Sequence, residues 1–114
     1  MGQRAYPRRS PAGLALAAVL VLAGGAQAQD GDLELGKQVF LEIAEPQCGL
    51  CHTLADAGTS GAIGPDLDEL QPDEERVAAI VRGGSEIMPA FGDTLSDEQI
   101  EAVAHYVATV AGQQ

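Results

Sequence analysis

The stretch Cys48-Gly49-Leu50-Cys51-His52 carries the strongest chemical signal in this chain of 114 residues. It places two thiols three positions apart, with an imidazole directly after the second. This order is the attachment signature of c-type haem, in which each cysteine forms a thioether with a haem vinyl group and the histidine faces the iron. We call Cys48–His52 the haem motif. Because the pattern is short, the rest of the chain has to supply what a haem would need.

The same cysteines are compatible with other chemistry. A disulfide between Cys48 and Cys51 would close almost no loop and would stabilise the fold little. His105 is a candidate fourth ligand of a zinc site, or an alternative axial ligand of a haem, but its place one turn after Glu101 on a predicted helix favours a solvated residue. A dithiol redox pair is expected beside a βαβ pattern, which the sequence lacks.

Residues 1–28 have the features of a cleavable signal peptide. Three arginines precede an apolar run at Leu14–Ala23, and Ala26-Gln27-Ala28 has the small-x-small pattern of a signal-peptidase site. The apolar run is shorter than the ~20 residues of a membrane-spanning helix. We therefore predict cleavage after this motif, export to the periplasm, and a single domain over residues 29–114 without stable membrane insertion. An uncleaved anchor is the alternative.

The predicted domain is strongly acidic. Cleavage would remove three arginines and none of the 17 acidic residues, so the formal charge would change from −11 to −14. Such a surface repels nucleic acid and anionic membranes, and it attracts a partner with a basic docking patch at a rate that falls as salt rises. Solubility in a saline habitat is an equally good explanation of the acidity.

The spacing of apolar residues predicts an all-α domain. A first helix is expected over about Leu33–Ala44, capped by Asp32 and ended before Pro46. No window alternates with period two over enough residues to indicate a strand. Residues 56–65 contain several glycines and small side chains, which predicts irregular backbone.

Two further helices follow. Gln71–Glu75 opens one of them with a proline and acidic residues in the favoured first turn, and Gly83-Gly84 closes it. Ser96–Gln99 forms a capping box that starts the last helix, which runs to about Ala111. The sequence thus predicts three main helices connected by long loops.

Met88 is the candidate for a second axial iron ligand. It is the one methionine of residues 29–114 and stands in a loop directly before Pro89, which would stiffen that loop. A thioether is a neutral, soft donor that raises the reduction potential of haem iron. A gap-filling core residue is the alternative role of an isolated methionine.

Together these features resemble the class I monohaem c-type cytochromes, particularly the short bacterial ones of the cytochrome c6 and c551 types. The resemblance covers essentially all of residues 29–114. It implies the cytochrome c fold, with the helices and loops wrapped around one covalently attached haem c. The matching parts are Gly36 and Phe40, the haem motif, Gly64-Pro65-Asp66-Leu67, Met88-Pro89 and Tyr106.

The resemblance also implies roles for individual residues. In the family, a glycine of the first helix lets an aromatic residue of the last helix pack against it, which would explain Gly36 opposite Tyr106. The carbonyl of Pro65 would accept a hydrogen bond from His52 and so orient it. The chain departs from many relatives in having no tryptophan near a haem propionate, and it has a single lysine, Lys37. Neither the propionate contacts nor a docking surface can therefore be carried over.

The resulting hypothesis is a periplasmic one-electron carrier, not an enzyme, with His52 and Met88 as axial ligands and Cys48 and Cys51 as thioether sites. Its partners would be a redox donor and acceptor. One alternative is the haem c subunit of a periplasmic dehydrogenase complex, for example one that oxidises sulfite or an alcohol. Another is a haem enzyme or gas sensor, which would require an iron position that Met88 leaves open.

Overall fold

The computed structural model describes residues 2–5, 7–8, 13, 15–19 and 25–113. In this part of the chain the structure is mainly helical, which confirms the predicted fold class. Three main helices are present as expected, and one short helix between them was not predicted. The helices are α1 (Gly25–Gln38), α2 (Leu67–Leu70), α3 (Glu74–Gly83) and α4 (Asp97–Val110).

The first helix differs from its predicted start. α1 already begins at Gly25, so the prediction that Asp32 caps it is wrong. Alanine and glutamine at residues 26–28 are good helix formers, and they extend the helix upstream. At its other end α1 continues into a π-helical turn, Val39–Ile43, which ends just before Pro46 as predicted.

The predicted signal peptide is described only in part. Its apolar run includes residues 14 and 20–23, which lie outside the described residues, and its cleavage motif falls in the first turn of α1. None of the described helices combines the length and the apolar character that crossing a membrane requires.

The starts of α3 and α4 lie where the sequence predicts them. The side chain of Asp73 accepts a hydrogen bond from the backbone N–H of Arg76 at 2.8 Å and caps α3. At the start of α4, Ser96 and Gln99 exchange both hydrogen bonds of a capping box, at 3.1 and 2.9 Å. These two helices are specified locally, since each cap lies within three residues of the group it satisfies.

A small hairpin contradicts one prediction. Thr53–Leu54 (β1) pairs antiparallel with Thr59–Ser60 (β2), so residues 56–65 are not wholly irregular. The hydroxyl of Thr53 donates to the carbonyl of Gly61 at 3.0 Å, which extends the pairing. Two-residue strands are too short to show an alternating pattern, and so the periodicity of the sequence could not indicate them.

The two aspartates of the acidic run Asp66–Glu69 form hydrogen bonds within the fold. Asp66 caps α2 by accepting from the backbone N–H groups of the two following acidic residues. The carboxylate of Asp68 accepts from the N–H of Ala55 at 2.8 Å and from the N–H of Gly112 at 2.9 Å. It thereby ties the hairpin to the C-terminal end of α4.

The core lies where α4 crosses α1 and α3. Gly36 is buried at the first crossing, where an added Cβ would meet the carbonyl of Ala102 and lie 2.5 Å from the Cβ of Tyr106. One turn later the rings of Phe40 and Tyr106 pack edge to face, with centroids 6.2 Å apart. The structure therefore confirms the close approach of Gly36 and Tyr106 that the family resemblance implied.

Tyr106 also connects this helix pair to the hairpin. Its hydroxyl donates to the carboxylate of Asp56 at 2.5 Å, and Lys37 lies 3.4 Å from the same carboxylate. The hydrogen bond from Tyr106, and then the charge of Lys37, hold the pKa of Asp56 below its usual range. Burial, reinforced by the hydrogen bond to Asp56, raises the pKa of Tyr106.

We expect Gly36→Ala to lower the free energy of unfolding by about 1–3 kcal/mol, because overpacking at the crossing outweighs the ~1 kcal/mol that alanine gains in a helix. Urea denaturation followed by circular dichroism measures the change. Gly83→Ala is the matched control, since a Cβ at this last residue of α3 meets no atom within 4 Å. Equal stability of the two variants would contradict the packing explanation.

Candidate functional site

A cavity of about 400 Å³ lies between the haem motif on one side and α3 with its following loop on the other. Its volume is within the ~300–1,000 Å³ of ligand sites in proteins. Both cysteines of the motif, His52, Pro65 and Met88 line it, so the structure brings all five predicted site residues together. The apolar part of the lining consists of Phe40, Ile63, Leu67, Leu70, Val77, Ile80, Val81, Ile87, Phe91, Val103 and Val107.

The haem motif is held as a tight turn. Cys48–Leu50 forms a 3-10 turn, and the carbonyl of Cys48 accepts from the N–H groups of Cys51 and His52 at 3.2 and 3.0 Å. The two thiols therefore stand on one turn beside the cavity, with the imidazole following at once. Both cysteines are partly buried, and no disulfide joins them.

The Gly64-Pro65 segment fixes the imidazole of His52. Nδ1 donates to the carbonyl of Pro65 at 2.8 Å, because a carbonyl oxygen can only accept. In the neutral ring, Nε2 is then the nitrogen without a proton, the one that can bind a metal ion. The hydrogen bond expected from the family resemblance is present.

Gly64 is a site residue to which the sequence alone assigned no role. A Cβ at this position would lie 2.6 Å from Cε1 and 3.0 Å from Nδ1 of His52, so the glycine backbone packs directly against the ring. The N–H of Gly64 also donates to the carbonyl of Cys51 at 2.7 Å. The Gly-Pro pair in the sequence was the available signal, but only the proline was given a role.

The loop that carries Met88 is anchored on α3. Backbone hydrogen bonds join Met88 and Ser85 in both directions, at 2.8 and 3.1 Å. Phe91 then donates its N–H to the carbonyl of Val81 at 2.8 Å, and its ring is buried. Met88 is thus held at the cavity by pairing on both sides of it, not by Pro89 alone.

The remaining candidates for metal or redox chemistry do not come together. His105 does not line the cavity, and its Nδ1 lies 3.0 Å from a carboxylate oxygen of Glu74. Among the side chains that the structure describes, no group of three or more histidine, cysteine or acidic residues could hold a metal ion. Burial raises the pKa of Cys48 to about 11, whereas a dithiol redox centre needs a thiolate near neutral pH.

The residues present fit a haem. The cavity is lined mainly by apolar side chains, as a macrocycle requires, and it exposes two thiols on one turn, an unprotonated imidazole nitrogen and a thioether. This is the donor set of an iron porphyrin with covalent attachment and two axial ligands.

Comparisons with known proteins agree with this geometry. Residues 31–107 match the family described as cytochrome C oxidase, cbb3-type, subunit III. The crystal structure of the c-type cytochrome SorU from Sinorhizobium meliloti is similar with a TM-score of 0.71 and 59% identity, over 73% of this chain and 94% of that one. The chain is a class I c-type cytochrome. As a member of this family it carries covalently attached haem c and transfers electrons.

Similarity to algal proteins supports the same family. The cytochrome is 38% identical to cytochrome c6 of Gracilaria tenuistipitata var. liui, over 67% of this chain and 70% of that protein. It is 33% identical to cytochrome c6 of Diacronema lutheri, over 72% of this chain and the full length of that protein. The chloroplastic cytochrome c6 of Chlamydomonas reinhardtii is 35% identical over 80% of this chain, which spans 63% of the algal protein.

We expect Gly64→Ala to displace the His52 ring, because the new methyl group would overlap it. The free energy of unfolding should fall by about 1–3 kcal/mol, and the haem absorption bands should shift as the ring that faces the cavity moves. Absorption spectra of the oxidised and reduced cytochrome measure the second effect. Gly36→Ala is the control, since it overpacks a contact outside the cavity lining and should lose stability while keeping its spectrum. A Gly64→Ala spectrum identical to the wild type would contradict a role in placing the imidazole.

Proposed function

We propose that this cytochrome is a periplasmic one-electron carrier with a single haem c bound in the cavity. Cys48 and Cys51 form the thioethers, and His52 and Met88 are the axial ligands. The single observation that supports this assignment is the meeting of both thiols, the imidazole and the thioether at one apolar cavity. When bound there, the haem supplies an iron that changes between the ferric and ferrous states.

His52 and Met88 are placed so that both could bind the iron, which would leave no iron position for a substrate. Pro65 holds Nδ1 of His52 and leaves Nε2 for the iron, while the anchored loop brings Met88 to the α3 side of the cavity. With His52 and Met88 both bound to it, the iron would offer no position to a substrate, so the open-site enzyme or sensor is the less favoured alternative. A neutral thioether favours ferrous iron and raises the reduction potential.

We infer that residues 1–28 are removed during export and that residues 29–114 form the cytochrome domain. The arginines, the apolar run and the small-x-small motif support export. So does the chemistry of the site, because haem is attached to such motifs outside the cytoplasm.

We infer further that electrons leave through the side of the cavity that Ile63 and Ile87 border. These two side chains line the cavity and yet are 67% and 79% exposed, which brings the site close to solvent there. Glu86, next to Ile87, is also exposed. An apolar patch beside the carboxylate of Glu86, on a strongly acidic chain, suits a partner with a basic docking patch.

Ligand variants test the haem assignment. We expect His52→Ala to lose the native haem spectrum while His105→Ala, the matched control, keeps it. Met88→Ala should retain the haem covalently, lose the red absorption band of a methionine–iron bond in the oxidised protein and lower the reduction potential. The intact mass of the exported wild type should equal residues 29–114 plus one haem. A Met88→Ala protein with unchanged band and potential would contradict axial ligation by Met88.

Salt dependence tests the docking side. The acidic surface attracts a cationic cobalt complex, so the rate at which this complex oxidises the reduced cytochrome should fall as salt is added. The same surface repels ferricyanide, so the rate of oxidation by ferricyanide should rise as salt is added. Glu86→Lys should slow the cationic reaction severalfold more than Glu101→Lys, which makes the same charge change on α4 beside His105. Equal effects of the two variants would show that only net charge matters and would contradict the proposed exit.

A further inference from the structure

We propose that the Arg76 guanidinium holds a propionate of the haem. The proposal rests on the binding of haem in the cavity. It assigns the propionate contact that the sequence could not supply, since the chain has no tryptophan for this purpose.

Arg76 is placed at the cavity by the start of α3. It is the third residue of that helix, and its backbone N–H is bound by the capping side chain of Asp73 at 2.8 Å. Its side chain is exposed and lines the cavity beside Pro72 and Val77. Among the described residues it is the one Lys or Arg side chain in this lining. Arg76 therefore stands where the apolar cavity meets solvent, within reach of a charged group at the cavity edge.

The other two fixed cations of residues 29–114 are already paired. Lys37 lies 3.4 Å from a carboxylate oxygen of Asp56, and Arg82 lies 3.3 Å from one of Asp97. Arg76, by contrast, forms no salt bridge with any residue that the structure describes, although Asp73, Glu74 and Glu75 directly precede it. Because acidic side chains are abundant in this chain, an Arg76 that is unpaired among the described residues indicates that its guanidinium binds an anion that is not part of the polypeptide.

The haem brings that anion. Its two propionates are its only charged side groups, and a carboxylate at the edge of an apolar cavity is costly unless it is paired and hydrogen-bonded. Arginine presents a planar fork of donors that matches a carboxylate in two parallel hydrogen bonds. Glu86, the acidic side chain in the lining, would repel a propionate and lies beyond salt-bridge distance of Arg76.

Nuclear magnetic resonance of the reduced, haem-loaded protein tests the contact directly. The Nε–H signals of Arg76 and Arg82 are assigned from Arg76→Gln and Arg82→Gln. We expect the Arg76 signal to be shifted by the ring current of the haem and to exchange with water more slowly than the Arg82 signal. An Arg76 signal without a ring-current shift, exchanging as fast as that of Arg82, would overturn the proposal.

The reduction potential between pH 5 and 8 gives a second, independent readout. Loss of the guanidinium should raise the pKa of the propionate by about 1–3 units, so Arg76→Gln should make the potential depend on pH more steeply than in the wild type. Arg82→Gln removes the same charge from the same helix and should leave the wild-type profile. Arg76→Lys should fall between the two.

Identical potential profiles for Arg76→Gln and Arg82→Gln would count against the pairing, because only the net charge would then matter. Haem staining after denaturing electrophoresis is done on every variant. Unstained wild-type protein would mean that the proposed haem site itself is wrong, which separates that failure from failure of the Arg76 contact alone.

Discussion

The hydrogen bond from Nδ1 of His52 to the carbonyl of Pro65 is the constraint on which the site depends. It joins two segments that are 13 residues apart in the chain, and it selects the imidazole tautomer whose Nε2 is available to iron. Gly64 restricts the ring from the same side, because its backbone leaves no room for a side chain. The hairpin of β1 and β2 makes this possible, since it turns the chain back so that Gly64-Pro65 reaches the haem motif.

The hairpin is in turn fixed to the helices through two aspartates. The carboxylate of Asp56 accepts a hydrogen bond from the hydroxyl of Tyr106 and forms an ion pair with Lys37. The carboxylate of Asp68 accepts hydrogen bonds from backbone N–H groups of the hairpin and of the chain after α4. The crossing of α1 and α4 therefore holds the hairpin in place as well as packing the core. This explains why a buried tyrosine, and not a phenylalanine, stands at the crossing, because only its hydroxyl can reach Asp56.

The sequence predicted those parts that depend on neighbouring residues. The capping box at Ser96, the acidic start of α3 and the haem motif each lie within a few positions, and the structure has all three in place. The β1–β2 pairing and the bonds of Asp68 link residues far apart in the chain, so no local pattern indicated them. The start of α1 was misplaced for a different reason: Asp32 has the chemistry of a cap, but good helix formers precede it.

Aspartates and glutamates differ in their contacts within the fold, and this difference helps to explain why the chain has so large a negative charge. Of the seven aspartates whose side chains the structure describes, five accept hydrogen bonds or pair with a cation within the fold, namely Asp56, Asp66, Asp68, Asp73 and Asp97. All nine glutamates are exposed, and Glu74 is the one among them with a salt bridge to a described residue. The short side chain is used where a carboxylate must reach a nearby backbone N–H, while the longer one remains in solvent. Because the glutamates do little for the fold, their number is free to be set by what the surface meets, which is a redox partner or the surrounding salt.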